Sequence, residues 1–207
     1  MARFNPKTGN FSGMVGNAVL VDHPRFGSIL RVRPNRKYTL NEKQSLQVSK
    51  MIVVHRFLEP LKAFLNATNY EPSSRAYPYQ QAVGRVLKAV DEATLTVQEE
   101  KAAVVSGSLA QPLDACVAVS DGKAEIRWTD NGGATSSNAT DRLLVLFYDE
   151  RKMLVHWDLT ESCRSDERCT VAVTGMEKGN YLVYVAFVEK GERRASNSAL
   201  AGMVEID

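Results

Sequence analysis

Between residue 109 and the C-terminus, short strand-forming runs alternate with turn signals, and two of the runs are apolar on both faces. The run 123–129 alternates strictly. Ala124, Ile126 and Trp128 fall on one side and Glu125, Arg127 and Thr129 on the other, which is the period of a half-buried strand. Cys169, Val171 and Val173 alternate in the same way with Thr170, Ala172 and Thr174. Turn-forming residues separate the runs at Asp121-Gly122, at Asn131-Gly132-Gly133, over 149–152 and over 189–192. Seven such runs in under one hundred residues predict an immunoglobulin-like or fibronectin-like β-sandwich over 109–207.

The doubly apolar runs are the third, 143–148, and the sixth, 181–188. In a sandwich of this kind the first, second and fifth strands share one sheet, and the third, sixth and seventh share the other. The second and fifth runs have polar outer faces, so one sheet is expected to meet water. Strands apolar on both sides belong to a sheet covered on both sides. The nearest cover is the helical segment upstream, with a neighbouring subunit as the alternative.

That segment spans 39–108. Thr39 with Glu42, or Asn41 with Gln44, offers a capping box for a helix start. Met51, Val54, Phe57, Leu58, Leu61, Phe64 and Leu65 then recur at spacings of three and four, one apolar stripe. Pro60 lacks an amide proton and crowds the preceding turn, so it should kink or split the helix. Pro78 marks a second amphipathic helix with Val83, Val86, Leu87 and Val90 on one face. The fold class expected is therefore α+β: an N-terminal extended arm and two amphipathic helices packed on a C-terminal seven-stranded sandwich.

The arm, residues 1–38, is rich in Gly, Asn, Pro and Arg, and reads as an extended piece with one or two short strands around a turn at 22–24. It looks too sparse in apolar residues to fold alone. Charge is distributed unevenly. Residues 1–50 hold nine Lys or Arg against Asp22 and Glu42, whereas residues 111–207 hold eleven against sixteen Asp or Glu. A basic arm ahead of an acidic domain points to contact with phosphates or to pairing between subunits. The residues expected to make that contact are Phe11, Val15, Val19, Arg25, Arg31, Arg33, Arg36 and Lys37. The basic ones suit nucleic acid. The apolar ones, together with Ile29 and Leu30, have little use in a phosphate-binding tail and favour packing on protein.

Chemistry-bearing patterns point elsewhere. His23, His55 and His156 lack the HxxxH or HExxH spacing that places two imidazoles on one face. Neither a GxSxG elbow nor a GxxxxGK[ST] loop occurs, and Gly9, Gly13 and Gly16 read as turn residues. The carboxylate pairs Asp149-Glu150 and Asp166-Glu167 fall in charged turns. Cys116, Cys163 and Cys169 are an odd number without CxxC spacing and are expected reduced, although Cys163 and Cys169 could close a small loop under oxidation. With 44% hydrophobic and 24% charged residues, the chain has the composition of a globular protein. No apolar run reaches the roughly 18–20 residues of a membrane span, and the first residues lack the apolar stretch of a signal peptide. The expected setting is the cytoplasm or a particle assembled there.

The segments Gly9-Asn-Phe-Ser-Gly-Met-Val-Gly-Asn17, Ile29-Leu-Arg-Val-Arg-Pro34 and Phe57-Leu-Glu-Pro-Leu61, with Gln44 leading the helix, resemble a family of small uncharacterised proteins from Bacteroidota. The resemblance continues through Val105-Ser-Gly-Ser-Leu109, Ile126-Arg-Trp-Thr-Asp130, 141–148, Tyr184-Val-Ala-Phe187 and Ser196-Asn-Ser198. It implies the Phe-Ser-Gly-x-Val-Gly opening and a terminal sandwich, and no activity, cofactor or catalytic residue. The stretch 161–169 departs from the family and is expected to be a variable loop. Together these readings anticipate a non-enzymatic structural or protein-interaction protein without a cofactor. It would associate with itself or with another protein, as in a virion or other multi-subunit assembly. A nucleic-acid-associated protein using the arm is the alternative.

Overall fold

The structure is a computed structural model that describes residues 3–5, 10–23, 27–33, 39–68, 77–133 and 137–206, with backbone alone at 3–5, 10 and 11. The chain divides into two compact units, Met1–Asn41 and Glu42–Asp207.

The first unit corrects the expected extended arm. Strands β1 (Arg3–Asn5), β2 (Asn10–Val15), β3 (Ala18–His23) and β4 (Gly27–Val32) form a four-stranded antiparallel sheet in the order β1-β2-β3-β4. Three of the pieces that looked too sparse to fold are rich in apolar and β-branched residues, and the Gly16-Asn17 step links two of them. Gly16 sits at φ +58°, where a Cβ would be strained, and lets β2 turn directly into β3 with Val15 opposite Ala18. Backbone pairing between neighbouring strands thus supplies what an isolated arm would lack.

In the second unit, α1 (Glu42–Leu58) ends where Pro60 interrupts the amide ladder, and α2 (Lys62–Ala67) resumes beyond it. Pro60 therefore splits the helix. The expected second helix is α3 (Pro78–Val86), with Pro78 in its first turn, where a missing amide costs nothing. Seven strands follow. β5 (Leu113–Ser120), β6 (Lys123–Thr129) and β9 (Arg168–Ala172) form one sheet in the order β5-β6-β9. β7 (Arg142–Asp149), β8 (Leu154–Cys163), β10 (Gly179–Val188) and β11 (Ala199–Ile206) form another in the order β11-β10-β7-β8, and every pairing is antiparallel.

Alternate residues of β7 and β10 supply two different cores. Leu143, Val145, Phe147, Val183 and Phe187 join Ala124, Ile126 and Trp128 between the two sheets. Leu144, Leu146, Tyr148, Leu182 and Tyr184 face the other way, into a cluster with Val54, Phe57, Leu61, Phe64 and Val86 of the helices. This is why both strands read as apolar on both faces. The cover for the outer face comes from the chain's own helices. Two phenols pin it: Tyr148 Oη donates to the Phe57 carbonyl at 2.9 Å and Tyr184 Oη to the Glu99 carbonyl at 3.1 Å. Each large side chain fully buried in this way is worth about 1.5–3 kcal/mol. The fold is mixed α+β, with helices packed against antiparallel sheet.

The stretch 161–169, expected as a variable loop, finishes β8, makes a single 3-10 turn at Arg164–Asp166 and enters β9. Arg164 is wholly buried. Its guanidinium lies 3.8 Å from the centre of the Phe187 ring and pairs with Asp141 at 3.3 Å. The turn is a structural joint, and its charged residues are there to close it: the Asp166 carboxylate accepts the Cys163 amide at 2.7 Å, and Glu167 accepts the amide of Asp130 at 3.2 Å. The Asp149 carboxylate likewise accepts the amides of Arg151 and Lys152, at 2.9 and 3.0 Å.

Candidate interaction surface

Pairing register divides the N-terminal sheet into two faces, because residues opposite each other in an antiparallel pair project to the same side. Val15 stands opposite Ala18, which stands opposite Val32, and Leu20 stands opposite Leu30. Met14 stands opposite Val19, which stands opposite Arg31, and Val21 opposite Ile29. One face therefore carries Val15, Ala18, Leu20, Leu30 and Val32, with the Asp22–Ser28 pair at its far end. The other mixes Met14, Val19, Val21 and Ile29 with Arg31.

Every residue of β4 is exposed, Leu30 by 66% and Val32 by 71%, and Val15 of β2 is exposed by 59%. Arg33 is exposed as well and lies across the sheet with Nη1 3.8 Å from the Met14 sulfur. Of the contact residues expected from the sequence, Val15 is on the apolar face, while Val19 and Arg31 share the mixed one. Phe11 is in β2, paired with Phe4 through its backbone. Arg25, Arg36 and Lys37 lie outside the described residues. Sequence reasoning left Val32 and Met14 out of the contact set, although Val32 ends one of the strands expected around the turn at 22–24; Met14 lies in β2, where no strand was expected.

The second unit holds a buried polar joint at one end of its two sheets. Beyond Asp141 and Phe187, the Arg164 guanidinium donates to the Ala110 carbonyl at 3.1 Å and to the Asn131 side chain, while its own carbonyl accepts the Trp128 indole N–H at 2.7 Å. Asp141 also accepts the Asn138 amide at 2.9 Å. Burial depresses the Arg164 pKa and the Asp141 carboxylate opposes that shift. Among the described residues, the buried side-chain atoms left without a partner are Asp141 Oδ1 and Arg164 Nε. Cation and anion are both spent on holding three loops together.

Elsewhere, His55 Nδ1 lies 2.9 Å from Tyr79 Oη, but burial pushes that phenol up, away from a phenolate nucleophile. Burial also raises the Tyr148 and Tyr184 phenols well above their ordinary range. Glu99 is raised by burial and by its neighbours Glu150 and Glu100. The three cysteines are free thiols, Cys169 buried and Cys116 exposed. Among the described residues, no group of three or more His, Cys, Asp or Glu is placed to hold a metal ion, and no helix is long and apolar enough to cross a membrane.

Helices packed on antiparallel sheet, with a separate N-terminal sheet that exposes apolar residues, define a mixed α+β protein. The chain belongs to a family described as "Family of unknown function (DUF6266)", whose profile matches residues 10–202. The match takes in β2 to β4 as well as the second unit up to β11. No curated protein matches the chain.

Proposed function

We propose that this is a non-enzymatic structural or protein-interaction protein in which the N-terminal sheet is the contact element. The observation that carries this reading is the exposure of Val15, Leu30 and Val32 on a small separate unit. A sheet of this size cannot bury its own apolar face, and below about 40 residues a unit usually needs outside help to be stable. Exposed apolar surface concentrated in this way marks protein contact. On this reading the seven strands of the second unit are a fibronectin-like sandwich. The division into first, second and fifth against third, fourth, sixth and seventh supports it. The sandwich serves as a rigid platform, and copies joined through their N-terminal sheets contribute to a multi-subunit assembly such as a virion.

Light scattering of the full chain and of a chain starting at Glu42 tests the proposal. The full chain is expected to have a mass above that of one copy, and the shortened one to fall to a single copy. The same number of copies in both would refute it. The nucleic-acid reading draws on exposed Arg31 and Arg33. It predicts the opposite pattern: one copy in both cases, with retention of DNA or RNA only by the full chain.

A further inference from the structure

We infer that two copies pair edge to edge through β4, antiparallel and centred on Leu30, so that the two N-terminal sheets become one. This rests on the reading above and names the partner of that surface as a second copy of this chain.

β4 ends the sheet, and among the described residues no strand pairs with its outer side. The direction of its free groups follows from one bond. Arg33 donates its amide to the Asn17 carbonyl at 2.8 Å, one step beyond the Ala18–Val32 pair. Since donors and acceptors alternate sides along an antiparallel strand, Gly27, Ile29 and Arg31 turn their amides and carbonyls towards β3. Ser28, Leu30 and Val32 turn theirs outward. An exposed edge with such a row of groups is a template for another strand.

The edge is complementary to itself in one register. With Leu30 opposite Leu30 of the second copy, Ser28 faces Val32, and every outward amide and carbonyl from 28 to 32 meets one of the opposite kind. Arg31 then faces Ile29 and Arg33 faces Gly27, so no arginine opposes another. Centring the pair on Arg31 would set two guanidinium groups directly across from each other, which is destabilising. Centring it on Ile29 puts an inward-turned residue on the axis and carries Val32 past the described end of the partner strand. The Leu30 register also keeps like faces together: Leu30 of the two copies meets at the centre of the seam, flanked on each side by Val32 of one copy and Ser28 of the other.

The charges give this pairing a signature. Residues 1–41 hold seven Lys or Arg against Asp22 alone, so two such units repel, and salt should strengthen their pairing by screening. Docking of the basic unit onto the acidic region of a neighbour would be weakened by salt instead.

The test uses the full chain. Leu30→Pro removes an outward amide that has no role within the sheet, at an edge position where proline is tolerated. It should reduce the dimer to one copy, weakening association by roughly tenfold or more, with an unchanged circular dichroism spectrum. Leu30→Cys should form a covalent dimer on mild oxidation, since a hydrogen-bonded pair sets its Cα atoms about 5.5 Å apart, within disulfide reach. Arg31→Cys should not exceed the wild-type level set by exposed Cys116. Crosslinking of Arg31→Cys in place of Leu30→Cys would overturn the register. A dimer that survives Leu30→Pro but is lost on removal of 1–41, or one that salt dissociates, would overturn edge pairing while leaving the N-terminal sheet as the contact element. A full chain that is a single copy at every concentration would overturn both.

Discussion

Arg164 illustrates how a residue can be invisible in sequence and central in structure. It sits in a run of charged residues, Arg164-Ser-Asp-Glu-Arg168, that looks solvated, and its partner Asp141 comes from a different loop. Removing one member of a buried pair strands the other. Arg164→Met should therefore cost about 3–5 kcal/mol in urea unfolding, and adding Asp141→Asn should recover part of the loss. Trp128, by contrast, was legible, since strict alternation alone puts it inward beside Ile126, where it meets Phe187 edge-on at 5.8 Å between ring centres. The tyrosines make a pH prediction. Burial raises the folded pKa of Tyr148 and Tyr184 above the unfolded value of about 10, so their contribution is complete below that pH and is lost as pH rises past it. Melting temperature should fall on the alkaline side of about pH 10, and the fall should be shallower in Tyr148→Phe with Tyr184→Phe.

Elements differed in how plainly the sequence announced them. The alternation of β6 and β9, the doubly apolar β7 and β10 and the break at Pro60 each follow from local chemistry, and the covered sheet followed from strand order. The N-terminal sheet did not, because its strands are separated by Gly, Asn and Pro and carry arginines, so their apolar count looked too low for a folded unit. Pairing between strands, which no single run reveals, made the difference. The layered packing predicts the fate of an isolated piece. A fragment of residues 108–207 would lay bare Leu144, Leu146, Tyr148, Leu182 and Tyr184, which in the whole chain face the helices. It should aggregate or bind a hydrophobic dye strongly, while residues 42–207 should do neither. A fragment that stays monomeric at high concentration would mean the helices contribute little to the sheet's solubility.

At the scale of the whole molecule, the described residues of both cores run from Val54 onward, within the second unit. A chain starting at Glu42 should thus melt within a few degrees of the full-length protein by calorimetry. A large drop would show that the first unit contributes to the stability of the second. The order of the layers along the chain has a further consequence, for the ribosome. The helices are made first, yet the strand pair they cover is complete only when residue 188 has left the exit tunnel. Until then Phe57, Leu61, Phe64 and Val86 have no sheet to lie on, and growing chains on one message carry the same sticky stripe. Synthesis of this protein should accordingly lean on a nascent-chain chaperone during the interval between α3 and β10, and codons that slow translation there would lengthen the time at risk.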